Sequence, residues 1–165
     1  MVTGAKLIFW LALFAIAEGG VNAYVLADAH QGGLVGALLD IVMFTAINIM
    51  LAFLIGYYTW GYLECRNAFK RVIGALVVML LIGSIVCVSF ILAHYRDALA
   101  RTSRLDTLSY ADQLEMYDKL GLEVILTFIQ NPFLLEGMKS YLLLIISVIA
   151  AILITIKCNG IRKRA

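Results

Sequence analysis

Glu18 and Asn22 stand four residues apart in an otherwise apolar run, and Asp40, Thr45 and Asn48 stand in the next such run. Carboxyl and carboxamide groups in apolar sequence do one of two things in lipid. They carry protons or cations along a polar path, or they tie helices together by hydrogen bonds. On a helix, Glu18 and Asn22 share one face. Counted from the middle of the short turn between the runs, Asn22 and Asp40 lie at nearly the same depth, about 13 Å in at about 1.5 Å per residue. Glu18 lies about one turn deeper, and Asn48 lies toward the opposite end. The spacing predicts an intramembrane polar cluster of Glu18, Asn22, Asp40 and Asn48, in the hairpin or at a subunit interface. Apart from Lys6 at the very start of the first run, no Lys or Arg stands in either run to neutralise the two acids, which favours a proton or cation site. The competing role is interhelical glue, with the acids neutral and bonded to Asn22, Asn48 or a backbone carbonyl.

Beside these groups, Ala15, Gly19, Ala23 and Ala27 recur every four residues. Such a stripe of small residues is a helix-packing face that lets a neighbouring backbone approach closely.

The elements that must position these residues follow from composition. Of 165 residues, 63% are hydrophobic and 15% charged, with a mean hydropathy of +0.95. A soluble domain carries about 25% charged residues, and a core of this size cannot hide so much apolar surface. A hydrocarbon layer of about 30 Å needs about 20 apolar residues per helix. Four stretches meet this, at about 6–28, 34–60, 72–94 and 132–156, with an outer segment at 95–131 and a basic tail at 157–165. Backbone groups in lipid must bond within their own segment, and the runs lack the alternation of a β-barrel. The expected fold is therefore all-α: a polytopic membrane protein, one bundle of four transmembrane helices. A cleaved signal peptide is disfavoured, because the first run is too long and carries Glu18 and Asn22, although Ala27 and Ala29 give an A-x-A-like pattern.

Placing the N-terminus in the cytoplasm puts eight of thirteen cations on short inner segments: Lys6, Arg66, Lys70, Arg71, Lys157, Arg162, Lys163 and Arg164. That is the positive-inside arrangement, with the C-terminus also cytoplasmic. Trp10, Tyr57, Tyr58 and Trp60, with Tyr62, mark the inner interface. The remaining five cations share the outer connection with seven acids.

In that connection the third helix is expected to run past the bilayer, with Asp97 paired to Arg101. A bend at 102–107 follows, then a capping box at Ser109 and Asp112. A helix from about Tyr110 to Gln130 comes next, its second half apolar but too short to span. That half is expected in the interface, as a re-entrant piece, or over a neighbouring subunit. Asn131 and Pro132 suit the N-cap and first position of the last helix.

Other chemistry is excluded on residue types. Cys65, Cys87 and Cys158 share no close spacing, so no disulfide framework is expected, although Cys65 and Cys158 are placed for palmitoylation. His30, His94, Asp28 and Asp97 offer no ligand spacing within one helix, so no metal or other cofactor is expected. Neither Ser84 nor Cys87 has a base to activate it, and no P-loop or dinucleotide fingerprint occurs. An enzyme is not expected. The basic tail is a lipid anchor rather than a nucleic-acid site.

The leading expectation is an oligomeric subunit of a bacterial inner membrane that anchors an assembly through its 60–71 loop and tail. The partners are the bilayer, further copies of the chain and a cytoplasmic protein. One alternative is an ion channel or proton- or cation-linked transporter using Glu18 and Asp40. Another is a membrane sensor with the outer segment as input. In architecture alone, the chain is similar to small four-span subunits of multi-protein bacterial defence systems, Kiwa among them.

Overall fold

The computed structural model describes residues 2–30, 32–103 and 110–163, with side chains apart from those of 2, 3, 103 and 110–118. Among the described residues six α-helices form: α1 (Val2–Ala27), α2 (Gly33–Phe53), α3 (Trp60–Leu63), α4 (Ala68–Ser103), α5 (Tyr110–Gln130) and α6 (Met138–Arg162). A π-helical turn, Leu54–Thr59, joins α2 to α3. No strand occurs among the described residues. Among the described residues four helical stretches, within α1, α2–α3, α4 and α6, are long and apolar enough to cross a membrane. At most 28% of any of their apolar windows is buried within the chain, so most of that surface faces outward. Ile16, Val35, Leu39, Val42, Leu80 and Ile156 are among the large side chains left exposed. Water gives such a surface no stable place, and a lipid bilayer does.

The helices run up and down, so both chain ends lie at one end of the bundle (the tail end) and the α1–α2 turn lies at the other (the turn end). α2 and α6 touch each other and both remaining spans, whereas α1 and α4 occupy opposite corners. The small-residue stripe is used inside the chain. Gly19 and Ala23 are buried against α2, where a Cβ on Gly19 would sit 3.6 Å from Thr45 Oγ1.

The π-turn has an evident cause. A Cβ on Gly56 would collide with the Thr155 carbonyl and lie 2.9 Å from Cys158 Cβ, so glycine lets the second span press onto α6. Thr155 Oγ1 donates to the Ala52 carbonyl across this contact at 3.3 Å. Thr59 Oγ1 donates back to the carbonyls of Leu54 and Ile55, closing the widened turn. Sequence alone predicts a plain helix here, because nothing in the period of the apolar residues marks the extra residue.

Two apolar clusters make the core. Toward the turn end, Ala23, Leu26, Ala37, Ile41, Leu92 and Leu99 pack with Leu120 and Val124 of α5. Toward the tail end, Ala52, Ile55, Val78, Ile85, Ala151, Ile154 and Cys158 pack together. The apolar half of α5 thus covers its own chain's α4 with one face, while Leu122, Ile125, Leu126 and Ile129 stay exposed.

The last helix begins at Met138, later than Pro132, and ends at Arg162, later than Ile156. Residues 131–137 stay out of helix because α4 supplies their partners. His94 Nε2 bonds the Pro132 carbonyl at 3.1 Å, and the Glu136 N–H donates to Asp97 Oδ2 at 2.8 Å. The bend expected at 102–107 and the Ser109–Asp112 box fall largely outside the described residues. α4 does run on to Ser103, but the expected Asp97–Arg101 pairing is replaced. Arg101 instead pairs with Glu123 and Glu136, at 3.2 and 3.3 Å.

Candidate functional site

Between the two apolar clusters lies a polar layer. Glu18, Asn22, Thr45, Asn48, Ser89 and Ser147 are all buried there. Asn48 Nδ2 donates to Glu18 Oε1 at 2.6 Å and to the Ser147 carbonyl at 2.9 Å. Asn22 Nδ2 donates to Ser147 Oγ at 3.1 Å. Three helices therefore converge on one serine: α1 through Glu18 and Asn22, α2 through Asn48, and α6 through Ser147. Ser89 turns back to the Ile85 carbonyl of its own helix at 2.8 Å.

Three of the four expected cluster residues meet, and Asp40 does not. It shares a depth with Asn22 but looks to another face of α2, toward α4 and the turn. There Tyr95 Oη donates to Asp40 Oδ2 at 2.5 Å, and His30 Nε2 lies 3.0 Å from the same oxygen. His30 Nδ1 accepts from the Gly32 N–H at 2.9 Å, so Nε2 carries the proton given to Asp40. Gly36 makes room for this ring, since a Cβ there would overlap the imidazole. Depth follows from counting residues, whereas azimuth depends on how the helices pack, which is why the expectation failed at Asp40.

Ser147 went unrecognised in the sequence. A signal was present: Ser140, Ser147, Ala151, Ile154 and Cys158 recur at three, four and seven residues and mark the buried face of α6.

A second polar centre lies at the turn end. Asp97, buried, accepts from the Ser140 hydroxyl, from the Glu136 N–H and from Arg96 at 3.4 Å. Beside it, Lys139 pairs with Asp28 and holds that carboxyl below the usual carboxylate range. At the tail end, Glu64 accepts from Lys163 at 2.7 Å and from Arg162 at 2.9 Å, which likewise hold its carboxyl low. Lys157 Nζ sits 3.7 Å from the Trp10 ring centroid, a cation–π contact joining the first and last spans. Of the tail cations, Lys157, Arg162 and Lys163 thus have partners within the chain, and Arg164 lies outside the described residues. Arg66, Lys70 and Arg71 are exposed, and no acid pairs with them among the described residues. Tyr57 and Trp60 are half-buried and Tyr58 exposed at the same end.

The chain matches no family model, no curated protein and no solved structure.

Its reading therefore rests on its own geometry. Carboxamides and a serine joining three helices form a connector, a common use of polar groups among membrane helices.

Proposed function

We propose that this protein is a non-enzymatic, oligomeric membrane subunit that anchors an assembly, with both chain ends in the cytoplasm of a bacterial cell. The observation that carries the reading is the convergence of Glu18, Asn22 and Asn48 on Ser147. Polar groups that join three helices make a rigid platform, and Asp40, turned to His30 and Tyr95, does not extend them into a line of acids. A conduction path built on Glu18 and Asp40 gains no support from this separation. The platform presents Arg66, Lys70 and Arg71 at the end that the positive-inside rule assigns to the cytoplasm. Exposed cations beside paired ones suit an acidic protein surface, with anionic lipid as the competing ligand.

The test is purification from native membranes in mild detergent, for the wild type and for a variant carrying Arg66→Gln and Lys70→Gln. The wild type runs as a multimer with a bound soluble protein, and the variant keeps the multimer but loses that protein. A wild-type monomer with nothing attached overturns the reading.

A second reading rests on a different observation. Asp97 ties the 131–137 segment to α4, and Arg101 ties α5 to the same segment through Glu123 and Glu136. An outer segment latched by a few polar contacts is suited to sensing. Deleting 105–130 then abolishes a response in cells while leaving membrane insertion intact, and a response that survives the deletion removes this reading.

A further inference from the structure

Asp40, turned away from the polar layer, lines a cavity of its own. A space of about 300 Å³ opens between Met43 and Phe44 of α2, Ile91 and Tyr95 of α4, and Val124 and Ile125 of α5. The side chains that wall it are apolar, apart from the Asp40 carboxylate and the Tyr95 hydroxyl. Met43 and Ile125 are exposed, so the cavity opens on the outer surface of the bundle.

The carboxylate is only half used. Tyr95 Oη and His30 Nε2 both meet Oδ2, at 2.5 and 3.0 Å, and no bond reaches Oδ1 among the described residues. The Asp40 side chain keeps 31% of its surface exposed. Neither donor carries a balancing charge in this arrangement, because the phenol is neutral and His30 Nδ1 is spent as an acceptor from the Gly32 N–H. No Lys or Arg lines the cavity. A carboxylate oxygen open to an apolar space at membrane depth is costly unless a positive group meets it. From this we infer that the cavity binds a small organic amine, with its ammonium group on Asp40 Oδ1 and its apolar body between α2, α4 and α5.

Each feature argues against another occupant. An inorganic cation would find one carboxylate and one phenol, short of the four or more ligands that zinc or calcium takes, and would gain nothing from the apolar walls. A lipid acyl chain would set methylene groups against the open oxygen. An ammonium ion uses the carboxylate through a charge-assisted hydrogen bond. It also gains from the rings of Phe44 and Tyr95, whose centroids lie 6.0 Å apart. Small-molecule sites run from about 300 to about 1,000 Å³, so a cavity at the lower end selects a compact body. The site is separate from the three-helix connector and from the cations assigned to the assembly role.

The experiment titrates cyclohexylmethylamine, and its neutral isostere cyclohexylmethanol, into full-length protein in detergent at neutral pH. Binding is followed by calorimetry, with protein-free micelles as the blank. The amine binds saturably, and about tenfold or more tighter than the alcohol. Asp40→Asn brings the two affinities together, whereas loosening of the turn end alone would weaken both and keep their ratio. Gly121 also lines the cavity, and a Cβ there meets nothing within 4 Å. Gly121→Leu therefore fills space without a collision, and it weakens amine binding by about tenfold while keeping the melting temperature. The inference is overturned if the wild type shows no saturable amine binding, or takes amine and alcohol equally well. A preference for the amine that persists in Asp40→Asn overturns it too. Should Asp40→Asn not fold, Gly121→Leu decides: undiminished binding places the amine elsewhere.

Discussion

Replacing Asn48 by alanine is the sharpest probe of the polar layer. Its Nδ2 gives two hydrogen bonds, to Glu18 Oε1 and to the Ser147 carbonyl. Interhelical hydrogen bonds in membrane proteins contribute about 0.6 kcal/mol on average and up to about 1.7 kcal/mol. One of these two bonds reaches a carboxyl group, which places it toward the upper end. A cavity at a residue 2% exposed adds further cost. The expected loss is about 2–3 kcal/mol, and at about 2–4 °C per kcal/mol for a chain of this size the melting temperature falls by about 4–12 °C. Ser147→Ala is the internal comparison. It keeps the carbonyl that Asn48 uses and loses the hydroxyl that meets Asn22 and Glu18, so it costs about 0.6–1.2 kcal/mol, or about 1–5 °C. Thermal unfolding in detergent, followed by tryptophan fluorescence, measures both. If Ser147→Ala is as damaging as Asn48→Ala, or if Asn48→Ala leaves the melting temperature unchanged, the layer does not join the helices as described.

Gly56→Val forces a side chain into the Thr155 carbonyl and separates the second span from α6, costing about 2 kcal/mol or more as overpacking does; a melting temperature equal to wild type would mean the close approach is not required. Gly36→Ala pushes on the His30 ring and breaks its bond to Asp40, so it and Asp40→Asn loosen the turn end similarly, read as faster hydrogen exchange in residues 28–40. The Asp28–Lys139 pair has a defined pH window. The Asp28 carboxyl is held low, so the pair's contribution is present above the ordinary carboxylate pKa of about 3.9 and is lost as pH falls through the lower folded value. Asp28→Asn is accordingly less stable than wild type at pH 7 and equal to it at strongly acid pH; a difference that persists in acid removes the ion pair as its cause.

Much of the fold is legible in the sequence because lipid imposes a simple rule. Length and apolar content alone locate four spanning helices, and the absence of a breaker between His94 and Arg101 announces that α4 runs past its apolar part. The fourth helix start is misplaced because Asn131 and Pro132 read locally as a cap, while His94 and Asp97, distant in sequence, supply the competing partners. Glu18, Asn22 and Asn48 stand out as polar groups in apolar runs. Ser147 does not, since one serine in a long apolar helix is unremarkable until its face is known. Asp40 was legible as a depth and illegible as a direction, because the rotation of α2 is set by packing against α1 and α6.

Cysteine accessibility tests the central claim most directly: the polar layer lies buried inside a lipid-embedded bundle, closed to water. In membranes carrying the chain with Cys65, Cys87 and Cys158 replaced by serine, single cysteines are introduced at Gly32, Asn48, Arg66 and Ser147 and treated with a membrane-impermeant maleimide. Cysteines at 32 and 66 react from opposite sides, and those at 48 and 147 react from neither. Rapid labelling at 48 or 147 from the aqueous phase, or labelling of 32 and 66 from the same side, contradicts the account.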